Sequence, residues 1–329
     1  MGEKPEHGSK RIAPGMIDVH AHALPSAYLD GLSAAGVSPI DEDGFPTPSW
    51  SERSMLAFMD EQGIGFSVLS VSTPHINRGD DAQAAALARR IDDQLAELCS
   101  RHPDRLGFAT TLPLPAVEAS IDETRRGLGE LGVLGVKVPS NACGVYLGDA
   151  SLDPVMECLN DYGAVVTIHP SRPQEVPPNV FTAGPAPLFE YLADTTRAVL
   201  NLVSTGTIER FPRIRWVVPH CGSFLPEVAG RLQGISQVLV PAGLMERVDV
   251  MGSLRALYYD LAGDAEPVMA EALLKVADPT HLLYGSDFPY TPPAAIAKKR
   301  EALRADKALA PLADGIFRGN AASLYGLEA

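Results

Sequence analysis

The chain has 329 residues, of which 46% are hydrophobic, which is enough for one large core or for two ordinary domains. A net charge of −14 argues against nucleic acid as a partner, because phosphate binding needs a basic surface. No apolar stretch reaches the roughly 18 residues that a membrane span requires, so no membrane partner is expected. Residues 1–15 are polar, and they are expected to form a flexible extension before a single domain over residues 16–329.

The four cysteines lie far apart in the chain and form no C-x-x-C pair. This spacing is typical of reduced, structural thiols, and it predicts a cytoplasmic protein. Cys221 follows His220 directly, but neighbouring residues on a strand point to opposite faces. A nucleophilic Cys-His pair is therefore not expected.

Short apolar runs rich in β-forming residues alternate with helical patterns along the chain. The predicted strands cover residues 16–20, 66–71, 106–110, 133–138, 164–168, 214–218, 256–261 and 281–284. Helices are predicted between them, the longest near residues 80–101, and two helical stretches close the chain. The segment 24–51 contains several prolines and is too long for a simple connector, so we expect a lid-like loop there.

Eight strands separated by helices indicate a parallel sheet built from βαβ units. Eight such units close into a (β/α)8 barrel, so the predicted fold class is α/β, a barrel with inserted loops and C-terminal helices. An open, doubly wound sheet is the alternative. No G-x-G-x-x-G motif follows a predicted strand, so a dinucleotide-binding fold has no support.

Histidine and aspartate residues lie at the ends of four predicted strands. His20 and His22 end the first strand, and period-two geometry puts both on one face. His169 follows the fifth strand, His220 the sixth and Asp287 the eighth. Because strand carboxyl ends surround one barrel mouth, we expect these side chains to converge there. Imidazole and carboxylate groups in such a place suit one divalent metal.

Other residues are candidates for positioning or for substrate contact. Asp18 shares the face of His20 and is predicted to accept an imidazole N–H. Lys137, on the fourth strand, is predicted to contact substrate rather than to bridge two metals. The remaining candidates around the mouth are His75, Phe45, Trp50 and Tyr290.

In order and spacing, these motifs resemble the amidohydrolase superfamily. The resemblance is closest to its metal-dependent decarboxylase branch, typified by aminocarboxymuconate semialdehyde decarboxylase, and it implies the (β/α)8 fold. It covers residues 16–327, and its matching stretches are residues 17–22, 59–64, 135–138, 168–170, 211–222, 283–289 and 320–327.

The resemblance also implies a division of roles at the mouth. It assigns one metal to His20, His22, His169 and Asp287, with a metal-bound water as the remaining ligand. His220 resembles the acid/base residue beside that water, and Asp287 is carried over as a catalytic residue as well. The H-x-H pair favours zinc, although three imidazoles and a carboxylate also accept manganese.

Arg231 lies eleven residues after His220. In the resembled decarboxylase, an arginine at this distance from the acid/base histidine reaches across a dimer interface to a substrate carboxylate. This implies a homodimer or a higher homo-oligomer, and guanidinium suits that task. The chain departs from the pattern in two places. Ser171 follows the His-Pro pair where the decarboxylase has tryptophan, and the loop around Phe45 has no matching arginine. A different substrate is therefore expected, with Arg172 as a candidate for the missing cation.

Two functions remain open on these residues. The leading prediction is a carboxy-lyase, a carbon-carbon lyase that removes CO2 without oxidation from a small aromatic or unsaturated hydroxy acid. The alternative is a metal-dependent hydrolase of the same superfamily, resembling a lactonase. The same metal ligands serve both reactions, and in both cases the partner is a small-molecule carboxylate or a related compound.

Overall fold

The computed structural model describes residues 10–38, 43–177, 179, 184–265 and 268–328. Eight parallel strands form one sheet, in which each strand pairs with its neighbours in the sequence. The strands are β1 (Met16–His22), β2 (Ile64–Ser70), β3 (Leu106–Thr111), β4 (Gly135–Pro139), β5 (Val165–His169), β6 (Arg215–Val218), β7 (Tyr258–Asp260) and β8 (Leu282–Leu283). All eight predicted strands are present.

The two edges of this sheet meet. Ala21 of β1 forms a parallel bridge with Phe288, which lies shortly after β8. The His22 amide donates to the Phe288 oxygen, and the Asp287 amide donates to the His20 oxygen, both at 2.7 Å. These bonds hold the segment after β8 against the end of β1. The predicted (β/α)8 barrel is confirmed, and the open sheet is wrong.

The helices surround the barrel, and none of the described helices is long and apolar enough to cross a membrane. The long helix predicted near residues 80–101 is present as Asp81–Arg101. The described α-helices are α1 (Ser26–Ala34), α2 (Glu52–Gln62), α3 (Asp81–Arg101), α4 (Val117–Arg126), α5 (Asp153–Tyr162), α6 (Glu190–Ser204), α7 (Thr207–Arg210), α8 (Leu225–Leu239), α9 (Val250–Ala256), α10 (Val268–Leu273), α11 (Pro293–Ala305) and α12 (Asn320–Tyr325).

Helix α3 shows how the sequence forms a helix that packs on the outside of the barrel. The Asp80 side chain accepts a hydrogen bond from the Gln83 amide at 3.0 Å, which caps the first turn. Buried residues such as Leu87, Ile91 and Leu95 recur three or four positions apart. One face of α3 therefore packs on the barrel, while its charged residues face solvent apart from Asp92, which is buried and accepts the Thr110 hydroxyl.

The prediction of a lid-like loop over residues 24–51 is wrong for its first part, which folds as α1. Tyr28 of α1 is fully buried, and its hydroxyl donates to the Pro74 oxygen at 2.9 Å. The helix begins after Pro25 without a side-chain cap, so its start carries no capping signal in the sequence. Residues 39–42 lie outside the described residues, and Phe45 follows them.

The predicted division between an extension and a single domain stays a prediction, because residues 1–9 lie outside the described residues. Within the described part, a short strand, Lys10–Arg11, pairs in parallel with Leu327–Glu328. The Ile12 amide also donates to the Glu328 oxygen at 3.0 Å. These contacts join the two ends of the described chain.

Candidate active site

Three imidazoles converge at the carboxyl end of the barrel. His20 and His22 lie two residues apart on β1, and their Nε2 atoms are 3.2 Å apart. His169 ends β5, and its ring centroid lies 4.9 Å from that of His22 and 5.6 Å from that of His20. All three rings are buried, and one nitrogen of each lies within 4.8 Å of the others.

The Nδ1 atoms of these three rings fix how the rings are turned. Each Nδ1–H donates outward, and a carbonyl oxygen can only accept, so the proton lies on Nδ1. The bonds are His20 to Asp260 Oδ2 at 2.9 Å, His22 to the Ser70 oxygen at 3.3 Å and His169 to the Pro170 oxygen at 3.0 Å. In its neutral form, each ring therefore presents the lone pair of its Nε2 to the centre of the site.

Asp287 adds a carboxylate to this centre. Its Oδ1 lies 3.2 Å from the Nε2 of His22 and 3.5 Å from the Nε2 of His20. The residue has a left-handed φ of 59°, and its amide is held by the His20 oxygen, so the backbone turn directs the side chain inward. Lone pairs and a carboxylate that face one another in a buried place require a cation between them. The donor set fits one divalent metal.

The pKa values of the histidine rings also indicate that the centre of the site favours positive charge. Burial opposes a proton on His20, but Asp260 and Asp287 outweigh it and raise the pKa of His20 to about 9. Burial lowers the pKa of His22 to about 4 and holds that of His169 well below its ordinary value. Two neutral imidazoles thus stand beside a position where the carboxylates favour a cation.

His220 stands beside this centre on a strained turn. It follows β6 with φ at 53°, and Cys221 continues in the left-handed region at 55°. The His220 ring centroid lies 5.2 Å from that of His20. Its Nδ1 is buried and has no hydrogen-bond partner among the described residues. Burial lowers the pKa of His220, which favours its neutral form and makes its protonated form a stronger acid than a free imidazolium.

Asp260 was not predicted, although it connects His20, one of the three converging histidines, with His220 beside them. It ends β7 and is fully buried. Its Oδ2 accepts the Nδ1 proton of His20, while its Oδ1 accepts the amide of His220 at 3.1 Å. Its signal in the sequence was of the same kind as that of the other site residues. It is a polar side chain, here an acid, at the carboxyl end of a predicted strand.

The prediction that Asp18 accepts an imidazole proton is wrong. The Asp18 Oδ1 accepts the amides of His20 and Ser286, at 3.1 and 3.0 Å. Asp18 therefore braces the backbone at the junction of β1 with the segment after β8. Asp260 reaches the imidazole instead, from β7, which only β8 separates from β1 in the closed barrel.

A pocket of about 470 Å³ opens over this centre. His169, His220 and Asp287 line its inner end. Phe45 and Tyr290 form part of its wall, with ring centroids 6.1 Å apart. Further apolar surface comes from Leu188, Leu192, Met269 and Pro292. The two predicted aromatic residues are thus beside the histidine centre.

Lys299, which was not predicted, contributes a cation to the same wall. It lies on α11, and its Nζ forms an ion pair with Asp264 at 3.3 Å. The Asp264 side chain is 85% exposed, so water screens this pair. No strand-end pattern marks a lysine in the middle of a helix, and only the packing of α11 against the mouth reveals it.

Three predicted substrate-binding residues do not line this pocket. Lys137 is buried, its Nζ donates to the Ser72 oxygen at 3.0 Å, and burial lowers its pKa to about 7. Trp50 lines a separate pocket along α3, because it directly precedes Ser51, the residue that caps α2. Arg231 is exposed on α8 and does not reach the pocket within the described chain.

His75 and Arg172 line a second pocket, of about 520 Å³. Thr73 lines both this pocket and the one over the histidine centre, so the two are adjacent. The structure therefore brings these two predicted residues close to the centre without placing them against it.

Comparison with known proteins agrees with this arrangement. A family model described as Amidohydrolase matches residues 17–327. Decarboxylase macB of Penicillium terrestre is 32% identical over 324 residues, which cover 94% of each chain. The 6-methylsalicylic acid decarboxylase of Penicillium expansum is 30% identical over 290 residues, covering 86% of this chain and 87% of the relative.

Solved structures share the fold. A crystal structure of an amidohydrolase II is 35% identical, covers 94% of this chain and 99% of its own, and has a TM-score of 0.89. The 5-carboxyvanillate decarboxylase of Novosphingobium aromaticivorans was crystallised with manganese and a nitrobenzoic acid. It is 22% identical, covers 97% of this chain and 99% of its own, and has a TM-score of 0.83. At that identity the likeness concerns the fold alone.

Proposed function

Because this chain belongs to the amidohydrolase family, we propose that it is a metal-dependent, non-oxidative decarboxylase of a small aromatic hydroxy acid. One observation carries the proposal, namely the union of a buried histidine-aspartate centre with a pocket that has aromatic and apolar walls. Relatives that match most of this chain are named decarboxylases, one of them for 6-methylsalicylic acid. No feature of the pocket favours the hydrolase alternative.

We propose that His20, His22, His169 and Asp287 hold the metal. The inward lone pairs of the rings and the adjacent carboxylate support this assignment. When bound, a divalent metal supplies a Lewis acid that offsets negative charge on substrate oxygens. Nitrogen-rich ligation favours zinc, and manganese, which is present in the related 5-carboxyvanillate decarboxylase structure, is the alternative.

The aromatic ring of the substrate would lie against Phe45 and Tyr290. Both rings line the pocket, and Tyr290 also stands edge-on to His22 with centroids 5.6 Å apart. A ring held there turns its substituents toward the histidine centre. Apolar walls exclude water from the carboxylate, which strengthens the electrostatic interactions around it.

His220 would deliver the proton that replaces CO2. As the bond between ring and carboxylate breaks, its electron pair forms the new C–H bond with that proton, and CO2 leaves. Neutral His220 then regains a proton from solvent. Because burial lowers the pKa of His220, its protonated form is a stronger acid toward the ring carbon. Asp260 acts as a positioning residue by holding the His220 amide.

We also propose a homodimer in a reducing compartment. Arg231 lies on α8, the same helix that exposes Ile235 and Val238, and such apolar surface is typical of subunit interfaces. The four cysteines are free thiols, which suits the cytoplasm. Sedimentation of the purified protein tests the dimer.

The activity test uses metal-loaded protein and two sets of compounds, ring-hydroxylated benzoic acids and lactones. Mass spectrometry distinguishes loss of CO2 from addition of water. We expect CO2 release from at least one hydroxybenzoic acid, and none after the metal has been chelated. Water addition to lactones, without loss of CO2 from any acid, would establish the hydrolase instead.

A further inference from the structure

Asp194, on α6, is a carboxylate that the proposed function does not use. It is fully buried and lines neither of the two pockets described beside the histidine centre. A carboxylate removed from water destabilises the fold unless hydrogen bonds or cations compensate it. Four side chains do so, namely Ser140, Asn141, Tyr146 and Arg197. Three of these partners lie in the segment 140–146, which follows β4, so Asp194 holds that segment against α6.

Ser140 connects Asp194 to the segment that follows β5. Its hydroxyl donates its one proton to Asp194 Oδ2, so the hydroxyl oxygen is left to accept. That oxygen accepts the Ser171 amide at 2.9 Å, and the Ser140 amide donates to the His169 oxygen, also at 2.9 Å. Ser140 is fully buried, so water does not compete for these bonds. Asp194 therefore fixes the Ser140 hydroxyl and, through it, the backbone on both sides of Pro170.

The peptide bond between Pro170 and Ser171 carries this constraint to the His169 ring. A peptide bond is planar, so its N–H and C=O groups cannot turn independently of each other. Its N–H group is held by the Ser140 hydroxyl, and its C=O group, the Pro170 oxygen, accepts the Nδ1–H of His169 at 3.0 Å. Holding this one plane therefore sets the direction of the acceptor on which the orientation of the His169 ring depends.

Asn141 provides a second link from Asp194 to the same segment. Its Nδ2 group donates to Asp194 Oδ2 at 2.8 Å and to the Arg172 oxygen at 3.3 Å. Two neighbouring side chains thus hold residues 169–172 in place from one carboxylate oxygen. The Tyr146 hydroxyl donates to the other oxygen, Oδ1, and it has no bond to residues 169–172 among the described contacts. Tyr146 therefore shares the carboxylate with Ser140 without sharing its path to His169.

We propose that Asp194 is a positioning residue for the metal ligand His169, acting through Ser140 and the peptide bond between Pro170 and Ser171. The inference rests on the proposed function, because that proposal makes His169 a ligand. A ring that already faces the centre loses less freedom when the metal binds, so the metal is held more tightly. Partners that contact a ligating imidazole directly are worth roughly 10- to 100-fold in metal affinity, and Asp194 acts further out, so we expect its loss to raise the metal Kd about five- to tenfold.

Three variants separate this role from a general loss of stability. Competition with a metal-binding dye gives the metal Kd of each protein, and urea unfolding gives its stability. Asp194→Asn and Ser140→Ala should each raise the Kd about fivefold or more, and the double variant should raise it by less than the product of the two effects, because both act through one path. Tyr146→Phe, the matched control, removes a hydrogen bond from the same carboxylate and should keep the Kd within about twofold of the wild type even where it lowers stability.

A measurement without metal separates this inference from the proposed metal site. Hydrogen exchange in the metal-free protein, followed by mass spectrometry, should be faster at residues 168–172 in Asp194→Asn and Ser140→Ala, and unchanged there in Tyr146→Phe. If the wild-type protein binds no metal, the proposed function fails, while the exchange result still shows whether Asp194 holds the backbone beside His169. Exchange equal to that of the wild type in Asp194→Asn, an unchanged metal Kd in that variant, or an equally large rise in Kd in Tyr146→Phe would overturn the proposal.

Discussion

Replacing Asp260 by asparagine should weaken metal binding, although Asp260 is not a proposed ligand. Its Oδ2 accepts the Nδ1 proton of His20 at 2.9 Å, and its Oδ1 accepts the amides of His220 and Ala262, each at 3.1 Å. Asparagine has one oxygen and one NH2 group. If its oxygen keeps the two amides, its NH2 group faces the donor of His20. If the asparagine side chain turns by half a rotation, its oxygen accepts from His20 and the amides of His220 and Ala262 lose their acceptor.

In either orientation the His20 ring loses a charged partner that fixes its tautomer. Partners of this kind are typically worth a factor of 10 to 100 in metal affinity, or roughly 1.4 to 2.8 kcal/mol. We therefore expect Asp260→Asn to raise the metal Kd by at least tenfold. If the asparagine side chain turns, turnover should fall further, because the His220 amide then loses its acceptor.

Competition with a chromogenic chelator gives the metal Kd of each variant, and circular dichroism reports whether the barrel is intact. Asp161→Asn is the matched control, since this carboxylate is 79% exposed and pairs only with Arg213 among the described residues. A folded Asp260→Asn protein that binds metal within twofold of the wild type would refute the role given to Asp260.

Three further variants test separate parts of the account. His220→Asn should keep the wild-type metal content, as elemental analysis would show, and a loss of metal would contradict the assignment of His220 as a proton donor rather than a ligand. Steady-state kinetics should show that kcat falls by roughly 10²- to 10⁴-fold, the usual contribution of a positioned proton donor. Leu95→Ala, at a fully buried position on α3, should lower the free energy of unfolding by about 2 to 5 kcal/mol in urea denaturation, whereas Leu29→Ala, at a 39% exposed position, should have a much smaller effect. Lys137 has a pKa of about 7 in the folded chain, below its ordinary 10.5, so the unfolded chain binds more protons between these values and stability should rise with pH across that window. Lys137→Met should flatten that rise, which is at most about 1.4 kcal/mol per pH unit, and an unchanged slope would show that Lys137 is not its source.

The residues that could be predicted were those whose position follows from strand order alone. His20 and His22 share a face because strands alternate, and His169 and Asp287 meet them because parallel strand ends surround one mouth. Tyr290, three residues after Asp287, is carried to the same mouth by its position. Period-two alternation and barrel closure were therefore enough to bring these side chains together.

The residues that could not be predicted depend on packing between distant elements. Asp260 reaches His20 from a strand two places away in the barrel, and strand parity could not show that Asp260, rather than Asp18, accepts the His20 proton. Lys299 lines the pocket from α11, and no local sequence pattern specifies that this helix packs against the mouth. Trp50 was a candidate for the barrel mouth, but it directly precedes the capped start of α2 and lines a separate pocket along α3.

We infer that one metal centre and His220 together replace the carboxylate of an aromatic substrate by a proton. The most direct measurement adds metal stepwise to metal-free protein in ²H₂O with a ring-hydroxylated benzoic acid, and follows CO2 and product mass. We expect CO2 release to reach its plateau at one metal per chain and each product to carry one deuterium at the vacated ring carbon. CO2 release without metal, or a product that has gained water instead, would contradict it.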